Sequence, residues 1–174
     1  MRRAFSLLGA VVLSAPALVG LSAGAAHAGI GDPTCTETEA VTYSPGLSDT
    51  EELEDVTVDN NLTCTSLSDP TLRSGHVGAT VDGIARSCTD LLSTSSGSYT
   101  IYWNNGRTST ISYTRVPDYA DGSLVITEDG TVTAGEFDGD TSVHVAELAD
   151  LDLAACDPSP GITSTSGTGF YIFA

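Results

Sequence analysis

Apolar and polar residues alternate in short runs along most of this chain, and Gly, Pro, Asn and Asp punctuate the runs. A two-residue period puts successive side chains on opposite faces of a strand, so the pattern predicts an all-β fold. Strands are expected at residues 39–43, 55–63, 76–88, 98–103, 108–115, 123–127, 131–137, 142–148 and 169–173. Short strands separated by turn residues suggest an immunoglobulin-like β-sandwich, with a small antiparallel β-barrel as the alternative. Only "VAELADLDLAAC" (145–156) carries a helical spacing, at Leu148, Leu151 and Ala155, and it reads as a strand running into a turn or short helix.

Three stretches show the alternation in detail. In 98–103 and 108–113, Tyr99, Ile101 and Trp103 share one face and Ile111 and Tyr113 another, while Tyr102 lies opposite among polar neighbours. The connection Asn104-Asn105-Gly106-Arg107 supplies residues that tolerate positive φ, as a tight hairpin requires. Trp103, sharing a face with Ile101, is therefore expected to pack in or at the edge of a core, with ligand stacking as the second reading. In "TVTAGEF" (131–137) Val132, Ala134 and, past a bulge at Gly135 that corrects the register, Phe137 are expected to point inward. In "TSVHVAEL" (141–148) Val143 and Val145 take one face and His144 the other.

The N-terminus departs from this pattern. Arg2 and Arg3 precede an apolar run, and Ala26-His27-Ala28 offers the small residues a signal peptidase needs, so residues 1–28 read as a secretory signal peptide cleaved after Ala28. The match of residues 20–24 to a G-x-S-x-G elbow falls inside this leader and carries no catalytic meaning. Residues 29–174 then form a single all-β domain, secreted and soluble outside the cell, and no later stretch is long and apolar enough for a membrane helix.

Composition narrows the partners. The formal charge is −17, from 23 acidic residues against six arginines and no lysine, and two of those arginines lie in the leader. So acidic a surface repels phosphate backbones, which excludes nucleic acid as a partner, and it disfavours anionic membranes. Cys35, Cys64, Cys88 and Cys156 are an even set in an exported chain and imply two structural disulfides, with three pairings open. None lies in a C-x-x-C spacing, so zinc binding and dithiol redox chemistry are not expected.

Taken in order, "SPGL" (44–47), "WNNGRTSTIS" (103–112) and "GEFDGD" (135–140) give the chain a resemblance to a set of small secreted Ser/Thr/Gly-rich β proteins of actinobacteria. The resemblance implies export and a β fold. It implies no catalytic residues, since no activity attaches to that set. The wide cysteine spacing sets the chain apart from the enediyne-chromophore carriers of the same bacteria, which are acidic sandwiches with short disulfide loops.

Candidate chemistry is sparse. Glu136, Asp138 and Asp140 alternate around a glycine and could clamp Ca²⁺, although the twelve-residue loop pattern is missing. An aromatic ligand surface could draw on Trp103, Tyr102, Tyr113 and Tyr119. His76 and His144 stand in no catalytic motif, and no cofactor motif is present. The sequence thus predicts a non-catalytic secreted protein that binds or coats at the cell envelope or outside the cell. The alternatives are a small-molecule carrier, or an extracellular protease inhibitor presenting the loop at 65–70 or 156–161.

Overall fold

The computed structural model describes residues 32–157 and 159–174, so the expected leader and its cleavage site lie outside the described residues. Eight strands follow one another: β1 (Thr34–Leu47), β2 (Glu52–Thr65), β3 (Ser74–Arg86), β4 (Ser95–Trp103), β5 (Thr108–Ala120), β6 (Ser123–Gly135), β7 (Thr141–Leu148) and β8 (Ile162–Phe173). Each pairs antiparallel with the next, and β8 returns to β1, closing an up-and-down barrel. Two 3₁₀ turns, Cys88–Leu92 and Leu153–Cys156, interrupt the meander. The second of these is the short helical element expected after residue 148.

The barrel, not the immunoglobulin-like sandwich, is therefore the architecture. The sandwich expectation came from strands read too short. The segments at 123–127 and 131–137 merge into one strand, β6, which ends at Gly135 with Glu136 and Phe137 in the following turn, because Glu128, Asp129 and Gly130 continue the ladder between β5 and β7 rather than turning. Strands of this length, with the first and last free to pair, remove the sheet's edges by closure.

Inside, the pleat stacks three levels. At one end Leu62, Leu72, Ile101, Trp103, Val132 and Phe173 belong to a dry cluster that includes the Cys35–Cys64 bridge. At the other end Leu47, Leu91, Leu124, Leu148, Leu151 and Ile162 pack around the Cys88–Cys156 bridge, which ties the two 3₁₀ turns together. Between them lies a waist whose inward side chains are largely polar.

The β4–β5 hairpin shows how local sequence locks the first level. Gly106 takes φ +81° in the turn, and its N–H donates to the Trp103 carbonyl at 3.0 Å. Asn104 Oδ1 accepts from the Arg73 and Ser74 amides, while Arg107 pairs with Asp69 and Glu136, so the tip is bolted to its neighbours. Trp103 is 4% exposed. Its indole N–H donates to Ser109 Oγ at 2.8 Å, and its ring meets Phe137 and Phe173 edge-on. A register shift between β5 and β6 leaves Thr133 as the extra residue, which corrects one expectation: Val132 points inward as read, but Ala134 is exposed. At Gly135, with φ +93°, any Cβ would fall 2.0 Å from the Thr108 carbonyl oxygen, so this close approach requires glycine.

One seam differs from the other seven. β3 and β4 share only two paired positions, Gly75 with Trp103 and His76 with Tyr102. Below them the strands diverge, the Cys88–Leu92 turn fills the connection, and the inward-phase Ala79 and Val81 of β3 are exposed.

Candidate functional site

The waist is built by the inward phase of β1, β2, β6 and β7. In β1 that phase runs Cys35, Glu37, Glu39, Val41, Tyr43, leaving the threonines outside. In β7 it runs Ser142, His144, Ala146, Leu148, so His144 and the two valines do take opposite faces, with the histidine inside. Register then brings distant residues together: Glu128 lies opposite His144 on β7, His144 opposite Tyr171 on β8, and Glu39 opposite Asn60 on β2.

His144 sits at the centre. It is 3% exposed, with Nε2 at 2.5 Å from Glu37 Oε1 and Nδ1 at 2.9 Å from Glu128 Oε2. Its ring stacks on Tyr171 with centroids 4.1 Å apart. Burial works against the imidazolium, but the hydrogen bonds and charges of Glu128 and Glu37 outweigh it and push the pKa up to about 9. The imidazolium therefore donates from both nitrogens, and its charge lies over an aromatic face. Room for Glu37 comes from Gly169, directly opposite on β8, where a Cβ would stand 3.0 Å from Glu37 Oε1 and 2.3 Å from the Val145 carbonyl.

Beside this triad a cavity of about 330 Å³ reaches toward the β3–β4 gap. Val41, Val58, Val77 and Ile126 supply apolar wall, while Glu39, Asn60, Tyr99, Tyr113, Glu128 and His144 supply polar groups. Glu39 is mostly buried, and burial followed by the neighbouring Glu37 charge raises its pKa, against the opposing pull of His144 and of its hydrogen bond with Asn60. Asn60 Nδ2 donates to Glu39 Oε2 at 3.4 Å, leaving Asn60 Oδ1 buried with no partner. Burial also holds the Tyr43, Tyr99 and Tyr113 hydroxyls above the usual phenol range. At the rim, Arg115 is spent on the carbonyls of Asp90, Leu91 and Ser93, and Arg86 faces Asp90 at 3.9 Å.

The residues singled out in the sequence are not gathered at one place. Of the four aromatics, Tyr113 lines the cavity, Trp103 is sealed in the dry level, Tyr102 stands 55% exposed on the outer wall, and Tyr119 donates to the Leu151 carbonyl near the far end. Of the proposed calcium ligands, Glu136 is engaged by Arg107 at 2.7 Å, Asp138 faces solvent and Asp140 is buried, its carboxyl raised by burial and by Asp32. The ligand-type groupings that the described residues do form are elsewhere. Asp49 lies with Cys88 and Cys156, whose sulfurs are in a disulfide, and Glu37, Glu39 and His144 bring one atom each within 4.8 Å of one another. His76 is exposed, 3.7 Å from Asp59.

Sequence reasoning missed Glu37, Glu39, Asn60 and Glu128. A signal was present in "CTETEAVTY" (35–43): Cys35, Val41 and Tyr43 set the inward phase, and the same phase carries both glutamates. Compared with protein-family models, with curated proteins and with solved structures, the chain matches none.

Proposed function

We propose that this chain is an exported, non-catalytic barrel that holds one small organic molecule in its waist. The cavity beside His144 carries the reading: it has the volume of a ligand pocket, mixes apolar wall with a few convergent polar groups, and lies behind the one seam that is not stitched shut. Eight strands give an interior that side chains can just fill or that can house one small ligand, and here they leave space.

Binding rather than catalysis is favoured by the state of His144. Both ring nitrogens are held by carboxylates, so the imidazolium has no lone pair with which to take a proton from a substrate. Export is supported by the oxidised state of all four cysteines, which suits an oxidising compartment, together with the leader-like N-terminus.

Native mass spectrometry of the protein purified without denaturation from its own culture tests the proposal. The expected result is a stoichiometric organic adduct that denaturation releases. Ala79→Trp, which places an indole at the mouth, should abolish the adduct while leaving the fold intact by circular dichroism. An empty wild-type protein, or an adduct that survives the tryptophan, would overturn it.

A further inference from the structure

The unpaired groups of the waist say what kind of molecule it takes. Asn60 is 5% exposed, and its amide orientation is fixed by Glu39, so Oδ1 is an acceptor with no donor. Glu37, 4% exposed, leaves Oε2 unpaired in the same way. Both N–H groups of His144 are already committed. The waist therefore has buried acceptors to spare, and the hydroxyls of Tyr99 and Thr165 on the cavity wall, likewise without a hydrogen-bond partner, can accept as well as donate.

Charge points the same way. Three carboxyl groups, Glu37, Glu39 and Glu128, surround a single imidazolium. At the rim, Arg115 donates to the backbone carbonyls of Asp90, Leu91 and Ser93, and Arg86 faces Asp90 at 3.9 Å, so both guanidinium groups among the described lining residues are turned toward protein acceptors. Tyr43, Tyr99 and Tyr113 line the cavity, and aromatic rings attract organic cations. A metal ion at Glu37, Glu39 and His144 would need the imidazole nitrogen that now donates to Glu37, and so would have to dismantle the triad. An ammonium group adds to it.

We infer that the molecule held in the waist is an organic cation, a protonated amine on an apolar body, with its N–H groups directed at Glu39 and Asn60 Oδ1. The inference rests on the container reading above. Its apolar part lies against Val41, Val58 and Ile126; an alcohol of the same shape keeps one O–H donor but brings no charge, and a carboxylate brings no donor and meets the glutamates.

Calorimetric titration of the purified protein at neutral pH with phenethylamine, phenethyl alcohol and hydrocinnamate tests this, because the three share a ring and chain and differ in the head group. The amine should bind one-to-one and at least about tenfold tighter than the alcohol, with the carboxylate weakest. Glu39→Gln should reduce amine affinity by about tenfold or more and alcohol affinity by much less, because the amide oxygen still accepts from an O–H but no longer carries the charge.

Equal binding of all three, or preference for the alcohol or carboxylate, would overturn the cationic ligand and leave the container standing. Binding of Zn²⁺ alone that Glu39→Gln removes, without amine binding, would replace it with a metal site. If no probe binds and the Ala79→Trp protein behaves as wild type, the container falls as well.

Discussion

The dry level around Trp103 and the polar waist around His144 lie on the same strands, a few residues apart, and solve opposite problems. Along β8 the inward phase passes from Phe173 and Tyr171 to Gly169 and Gly167; along β1 it passes from Cys35 to Glu37 and Glu39. The first level is filled by large rings that meet edge-on, and its polar atoms are few and closed off in a short chain: indole N–H to Ser109 Oγ, and Ser109 O–H to the Glu136 carbonyl. The second is kept open by glycine and held by charges that are costly to bury alone. The difference teaches that the pleat, not hydrophobicity, decides what faces the inside of this barrel. Volume and charge are then balanced level by level.

That comparison can be broken most severely at His144. His144→Leu leaves Glu37 and Glu128 buried without their counter-charge, and should lower stability by about 3–5 kcal/mol, read from urea unfolding midpoints at neutral pH. Acidification should partly rescue this variant, since protonating the two carboxyls relieves the defect.

Raising pH attacks the same contact without mutation. The folded-state pKa of His144, about 9, lies above the ordinary imidazole value of 6.5. Its stabilising contribution is therefore complete below about pH 6.5, declines between the two values and is lost above about 9, a fall of roughly 3 kcal/mol. Denaturant melts across that window should show the decline in wild type and not in His144→Leu.

The smallest effect is expected in the dry level. Trp103→Phe removes one neutral donor and some area, while Ser109 keeps its bond to Glu136, so the cost should be about 1–2 kcal/mol with no added pH dependence. A pH-dependent loss there, measured by the same melts, would mean that the two levels are coupled and the contrast is false.

The two levels were also unequally legible in the sequence. The Trp103 hairpin announces itself, because its alternation and its Asn-Asn-Gly turn are local signals that agree with the structure. Bridging of all four cysteines followed from their even count, but their pairing depends on the β1–β2 register for Cys35–Cys64 and on how the two 3₁₀ turns meet for Cys88–Cys156, neither of which a single stretch encodes. The waist was hidden for two reasons. Glutamate inside a strand inverts the usual reading of faces, and threonine, which suits either face, left β1 without a marked inner face and cut short at residue 39. Glu128-Asp129-Gly130 likewise looked like a turn and concealed the length of β6. Glu37 and His144 are 107 residues apart, and only the return of β8 to β1 makes them neighbours. The sandwich expectation failed at the same point.

The two-rung seam between β3 and β4 leaves a cylinder that is nominally endless with two short lengths of bare strand, where amides and carbonyls could recruit a foreign chain. The molecule guards them by composition and shape. Thr80 and Asp82 are polar, Gly83 kinks its strand at φ +62° with its amide capped by Asp55, and the facing stretch begins Ser95-Ser96-Gly97-Ser98. Such a margin tolerates a doorway without becoming a template for aggregation.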